Sequence, residues 1–194
     1  MDYSIKGMEL CEFKNIYDRM ERDFADGEYP PYDKLYIQLE KGIQKGLLLM
    51  EGEREKAYSI CAESETNGYM LISFLAVFEE FRGRGLGTAL LVELKKLYAD
   101  SQGIIVEVEK PEEADSSEEK KVREKRIEFY RKAGFYMIPN VEYSIWDIPM
   151  HLMALPCKSA DRAINENIGN IIYDIYLRLM GKRFIHKMKF RKLV

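Results

Sequence analysis

The chain has little of what a secreted scaffold, a metal protein or a membrane span requires. It holds 3 cysteines and 2 histidines in 194 residues. Cys11, Cys61 and Cys157 are odd in number and widely scattered, with no metal-ligand spacing and no disulfide framework. That usage suits a reducing compartment, so a cytoplasmic location is expected. His151 and His186 have no partner constellation in the sequence and are set aside as structural. No stretch approaches the roughly 20 apolar residues of a spanning helix, and no basic segment followed by a long apolar run opens the chain. No membrane partner is expected. Positive charge is not in surplus either: 30 Lys+Arg against 33 Asp+Glu leave a net charge of −3. There is thus no global electrostatic case for nucleic acid. Repeats, low-complexity tracts and long linkers are also missing, and the length suits one hydrophobic core.

What is present centres on residues 75–91. Leu75, Ala76 and Val77 end an apolar run that suits a buried strand. Arg82, Gly83, Arg84, Gly85, Leu86 and Gly87 form a glycine-rich turn. Leu86, Leu90, Leu94 and Leu97 then recur at helical spacing, so a helix begins inside the turn. A strand, a glycine-rich turn and a helix N-terminus make an anion site, because the first helical amides have no internal partner and the dipole favours negative charge there. The third glycine position of a dinucleotide fingerprint holds Thr88, and no Gly-Lys-Ser/Thr follows, so neither a Rossmann nor a Walker loop is indicated.

Elsewhere the periodicity predicts helices over 8–24 and 32–41, then strands over 46–50, 56–63 and 69–78, with Thr66-Asn67-Gly68 as a hairpin turn. The tyrosines at 29, 32 and 36 either line a pocket or close the core. A strand over 104–109 places Glu107 and Glu109 on one face. Ser116 and Glu119 suggest a capping box for a helix ending at Gly134, with Val122, Arg126, Phe129, Tyr130 and Ala133 facing inward. Strands over 135–137, 143–146 and 151–155 and a helix over 159–180 follow. The isoleucines of that helix span more than the roughly 100° stripe of a helix seated on one core. A second surface, such as a homodimer interface, is therefore expected to cover it. The basic tail, Lys182, Arg183, Lys187, Lys189, Arg191 and Lys192, is expected to meet acidic groups such as Glu112, Glu113, Asp115, Glu118 or Glu119, on the same chain or on a partner. Residues 1–157 read as one domain and 158–194 as a C-terminal helix and tail.

Two motifs carry a family resemblance. Arg82, Gly85 and Gly87, preceded by Leu75-Ala76-Val77, resemble the Arg/Gln-x-x-Gly-x-Gly/Ala acyl-CoA signature of the GCN5-related N-acetyltransferase (GNAT) family. Phe129-Tyr130-Arg131-Lys132-Ala133-Gly134-Phe135 is similar to that family's FY-x-x-x-GF segment. The resemblance implies an α/β fold, a mixed twisted sheet with helices on both faces, here with a helical appendage. It implies acetyl-CoA as co-substrate and no metal. The pyrophosphate would lie on the backbone of Gly83, Arg84, Gly85, Leu86, Gly87 and Thr88, and pantetheine along Leu75, Ala76 and Val77. The implied activity is transfer of an acetyl group to a primary amine of a small molecule, with a peptide amine or a non-catalytic CoA-binding module as alternatives. Tyr130 would protonate the departing thiolate, a free amide near Val77 or Phe78 would polarise the carbonyl, and Glu107 or Glu109 would take a proton from the amine. The chain departs from the family pattern in two places. Arg123 stands where many members have Asn, and Ser73 and Phe74 stand where many have His or Glu.

Overall fold

A computed structural model describes residues 2–193. They form two compact units. The first runs up to Ala62 and takes in Ser73–Leu97; the second combines Glu63–Ile72 with the residues from Tyr98 onward.

The first unit contains β1 (Tyr3–Gly7), α1 (Leu10–Asp23), α2 (Tyr32–Glu40), β2 (Gln44–Glu51), β3 (Arg54–Glu63), the later half of β4 (Tyr69–Val77) and α3 (Leu86–Leu97). Its strands lie in the order β1-β2-β3-β4, with β1, β2 and β3 antiparallel. Strand β1 had no sequence signal. It pairs only with β2 at the sheet edge and stays largely half-exposed, so it needs no clean apolar alternation. Helix α1 buries Phe13, Ile16, Tyr17 and Met20 at the i, i+3, i+4, i+7 spacing that predicted it. These pack with Leu35, Leu48, Tyr58, Ile60 and Phe78. The tyrosine tract closes this core. Tyr32 stacks on Phe13 with ring centroids 5.1 Å apart, and Tyr29 meets Tyr17 edge-on at 5.7 Å.

The second unit contains the first half of β4, β5 (Gly103–Glu109), α4 (Ser117–Lys132), β6 (Tyr136–Met137), β7 (Val141–Ile145), β8 (Ile148–Pro156), α5 (Asp161–Phe184) and β9 (Met188–Lys192). Tyr69 to Ile72 of β4 pair in parallel with Gly103 to Val106 of β5. The other pairings, β5 with β8, β8 with β6 and β7, and β7 with β9, are antiparallel. The result is a mixed α/β fold with a mostly antiparallel sheet, as the sequence suggested.

Helix α4 starts where the capping signal stood. The Ser116 hydroxyl accepts from the Glu119 amide at 3.1 Å. The Glu119 carboxylate takes the Asp115 amide at 2.8 Å, one residue earlier than a capping box would have it. The inward set differs from the expected one. Ile127 and Tyr130 are buried, whereas Val122 is 54% exposed and Arg126 points outward to a carboxylate. So charged a helix buries only a narrow stripe, and Ile127 and Tyr130, three residues apart, supply it.

Helix α5 buries Ile164, Ile168, Ile171, Ile172 and Ile175 within its own unit, against elements that include β8 and β9. The isoleucines are thus covered by this chain itself. Among the described residues of this chain the basic tail does not pair with Glu112, Glu113, Asp115, Glu118 or Glu119. Its last residues form β9 instead, where Arg191 pairs with Glu142 at 2.9 Å through Nε and Lys189 pairs with Asp147, which Lys187 also meets from just before the strand. The reason lies in a period-2 pattern hidden in the charge run. Met188 and Phe190 alternate with Lys189 and Arg191, and the cations take the exposed face. Gly169 makes the seat for this strand. A Cβ there would stand 2.6 Å from the Phe190 ring. Among the described residues no helix is long and apolar enough to cross a membrane.

Because Ile172 is fully buried, Ile172→Ala should lower the unfolding free energy by about 2–5 kcal/mol in urea denaturation. A loss below about 1 kcal/mol would mean that α5 is not seated as a core element.

Candidate active site

Strand β4 changes character midway. Tyr69 to Ile72 are buried, while Ser73 to Val77 are only half-buried, although Phe74, Leu75, Ala76 and Val77 are all apolar. Leu75, Ala76 and Val77 are thus partly exposed just ahead of the turn. The Phe74 carbonyl accepts from the Ser59 hydroxyl at 2.9 Å. The Ser73 hydroxyl is buried without a hydrogen-bond partner among the described residues. Of the two amides considered for polarising a carbonyl, that of Phe78 is committed to the Lys56 carbonyl at 3.0 Å.

A 3-10 turn, Glu79–Phe81, leads into the glycine loop. Gly83 and Gly85 both sit in the left-handed region, at φ 76° and 77°, which L-residues adopt only at a cost. A Cβ built at either would meet nothing within 4 Å, so the space outside the loop is open. The first intrahelical bond of α3 runs from the Ala89 amide to the Gly85 carbonyl at 3.0 Å. The amides of Leu86, Gly87 and Thr88 therefore precede the helical ladder and stand at the positive end of its dipole. Leu86 is buried and anchors the turn, whereas Arg84 and Thr88 are exposed. This geometry fits a pyrophosphate held by backbone N–H groups.

Arg82 does not offer a loose cation to that site. Its Nε donates to the Val77 carbonyl at 3.1 Å, and its terminal nitrogen pairs with Asp23. Asp23 also accepts from the Tyr58 hydroxyl at 2.9 Å. Burial, with the Asp23 charge beside it, pushes the Tyr58 phenol far above its ordinary value. One turn earlier on α1, Arg19 meets both Glu80 oxygens at 3.2 Å and lies 3.7 Å from the Phe78 ring centroid. The side chain of Arg19 holds the exposed Glu80 carboxyl below its usual range. These α1 residues escaped the sequence reading. For Asp23 the available signal was a carboxylate in the last turn of a predicted helix, where the dipole disfavours negative charge.

In the second unit Tyr130 is buried on α4, with its ring edge-on to Phe129 at 5.1 Å and to Phe135 at 5.4 Å. Glu107 and Glu109 lie on β5, and their surroundings diverge. Glu107 accepts from Tyr176 at 2.7 Å through Oε2 and from Tyr143 through Oε1. Burial raises its carboxyl above the ordinary range, against the pull of the two phenol donors. Glu109 is held by Arg126 at 2.8 Å and by Arg123 at 3.1 Å. Arg123, the residue at the family's Asn position, also reaches Glu119 at 2.6 Å and the Lys110 carbonyl at 2.8 Å. His151, set aside in the sequence, pairs with Glu112 at 3.1 Å. No cluster of three His, Cys, Asp or Glu side chains suited to a metal occurs among the described residues.

The Glu107 environment sets a pH dependence of stability. Its carboxyl binds a proton more tightly folded than unfolded, so its contribution is full below the ordinary 4.5 and is lost as pH rises through the folded value. Glu107→Gln removes that slope. In urea denaturation at a series of pH values above 4.5, the variant should gain on the natural protein as pH rises. A gap that does not change with pH would contradict the raised affinity.

The chain resembles known proteins in sequence and in fold. Residues 45–137 match the family model for the acetyltransferase (GNAT) domain. YjbC of Bacillus subtilis (strain 168), a protein named as an acetyltransferase, is 30% identical over 89 residues, which are 46% of this chain and 42% of that protein. The match thus spans less than half the length of this curated relative. Among solved structures, a GNAT-family acetyltransferase from Bacteroides thetaiotaomicron superposes with a TM-score of 0.75 at 17% identity, covering 91% of this chain and 98% of the other. Aminoglycoside acetyltransferase AAC(6')-Ib, solved with coenzyme A and kanamycin, gives 0.61 at 17% identity over 86% of this chain and 99% of the other. At such identities the superpositions show the fold, and the domain match covers a little under half of the chain. Residues 45–137 thus carry the likeness to the GNAT acetyltransferase domain, and the fold agrees with it.

Proposed function

We propose that the protein is an acetyl-CoA-dependent N-acetyltransferase that acts, in the cytoplasm, on a primary amine of a small molecule. The observation that carries this reading is the loop of residues 83–88. It combines two left-handed glycines, open space outside them and the leading amides of α3, within the stretch that matches the GNAT domain. A solved protein of the same fold, the aminoglycoside acetyltransferase, was crystallised with coenzyme A and an amine-bearing small molecule.

In this reading the loop amides hold the pyrophosphate and the backbone of Leu75, Ala76 and Val77 aligns the pantetheine arm. Positioning supplies much of the rate by making the encounter effectively intramolecular. The amine nitrogen attacks the thioester carbon, and the carbon–sulfur bond breaks. Tyr130 returns a proton to the thiolate, and the Val77 amide supports the carbonyl oxygen while it carries charge. The proton leaving the amine goes to Glu107 rather than Glu109. Burial raises the proton affinity of Glu107, which is what a base working near neutrality requires, whereas two guanidinium groups already hold Glu109. No cysteine carries the acyl group, so transfer is direct.

Tyr130→Phe should lower kcat about a hundred-fold, within the usual reach of general acid catalysis, with the KM for acetyl-CoA nearly unchanged. In the same assay Glu107→Gln should abolish the acidic limb of the pH–rate profile. Full turnover in Tyr130→Phe with an authentic acceptor would make the tyrosine structural, and an unchanged acidic limb would remove Glu107 from the chemistry.

A further inference from the structure

Asp23 stands at the C-terminal end of α1, where the last carbonyls of the helix already present partial negative charge. A carboxylate there is unfavourable for the helix, yet its side chain is only 7% exposed. Its two oxygens are spent on groups that α1 itself has no use for. One takes the hydroxyl of Tyr58, a residue with no exposure at all, whose phenol needs a partner once buried. The other takes the guanidinium of Arg82, the residue that opens the glycine loop. From there Arg82 Nε grips the Val77 carbonyl at 3.1 Å, closing the chain back on the strand end five residues earlier. Arg19, four residues before Asp23 on the same helix face, fixes the intervening 3-10 turn through Glu80 and the Phe78 ring.

We propose that Asp23 is a positioning residue for the acyl-CoA loop, acting through Arg82, so that α1 rather than the loop itself sets the loop's conformation. This rests on the reading of residues 83–88 as the acyl-CoA site. Arg82 is then a strut between Asp23 and Val77. The anion is met by backbone amides, with Arg84 as the outward cation. A strut and a direct phosphate ligand make opposite predictions. If Arg82 touched the pyrophosphate, Asp23 would compete for it, and neutralising Asp23 would tighten binding. If Arg82 is a strut, neutralising Asp23 loosens the loop and weakens binding. A carboxylate that served only the α1 core would lower the melting temperature and leave acetyl-CoA affinity where it was.

Two measurements separate these cases. The first needs no ligand. Hydrogen exchange at the amides of Phe78, Phe81 and Arg82, which bond to Lys56, Phe78 and Glu79 in the folded chain, should speed up in Asp23→Asn relative to the natural protein. The α2 amides should be unaffected. The second is calorimetry with acetyl-CoA. Asp23→Asn and Arg82→Gln should each raise Kd about ten-fold or more, the scale of one charge-assisted hydrogen bond, and the double variant should bind no worse than either single one. Tyr58→Phe, which keeps the ring and removes only the hydroxyl, should shift Kd in the same direction by less and gives a folded control. Unchanged exchange in Asp23→Asn overturns the strut whatever the ligand does. Unchanged or tighter acetyl-CoA binding by that variant overturns it too. If exchange speeds up but the natural protein binds no acetyl-CoA, the strut stands as a structural device while the reading of the loop as an acyl-CoA site fails.

Discussion

A helix N-terminus holds an anion only while its first amides remain unspent and the backbone before it can be approached closely. Most of the first unit can be understood from that constraint. The two left-handed glycines turn the chain at the head of α3, with open space beside them. A buried Leu86 and the leucine stripe behind it keep the helix from shifting to cover them. Ahead of that anchor Gly83 and Gly85 carry no side chains, so the shape of the loop there depends on neighbours. Those neighbours are Asp23 and Arg19 on α1, Tyr58 on β3 and the Val77 carbonyl at the end of β4. The aromatic cluster beneath α1 and α2 then gives that helix a rigid seat.

The second unit is organised around a carboxylate that stability alone would not retain. Glu107 is enclosed by phenols from two further elements, Tyr143 on β7 and Tyr176 on α5. Burying it raises its affinity for a proton, so near neutrality the ionised group costs folding energy. The same three residues tie α5 to the sheet, and β9 fits into the notch left by Gly169. The C-terminal residues therefore belong to the hydrophobic structure of this unit. Glu109, two residues along the same strand, is paired with guanidinium groups, so side chains that look equivalent in the sequence meet different chemistry.

Much of this was legible in the sequence because local physics and tertiary structure agreed. The 3.6-residue stripe of α1, the Ser116 cap of α4, the Gly134 stop and the strand-glycine-helix order of residues 75–91 all appear where their patterns placed them. Illegible features were those whose signal belongs to another part of the chain. Strand β1 is short and half-exposed at an edge, so no alternation marks it. Strand β9 carries its two apolar residues inside a charge run and reads as a tail until β7 offers it an edge. The same holds at the candidate site. The glycines announce themselves, because positive φ narrows the choice of residue at those positions. Asp23 and Arg82 are 59 residues apart, and no local pattern joins them. Nor could the sequence tell that phenols enclose Glu107 while arginines hold Glu109, since those partners come from α5, β7 and α4.

The central claim is that the loop of residues 83–88 is where this protein meets its acyl donor. Hydrogen exchange of the natural protein with and without acetyl-CoA tests it most directly. The account predicts slowed exchange at the amides of Gly83 to Thr88 and along Leu75 to Val77, with little change at the amides of β9 or α5. No binding at all, or binding with protection elsewhere and none at these amides, would contradict it.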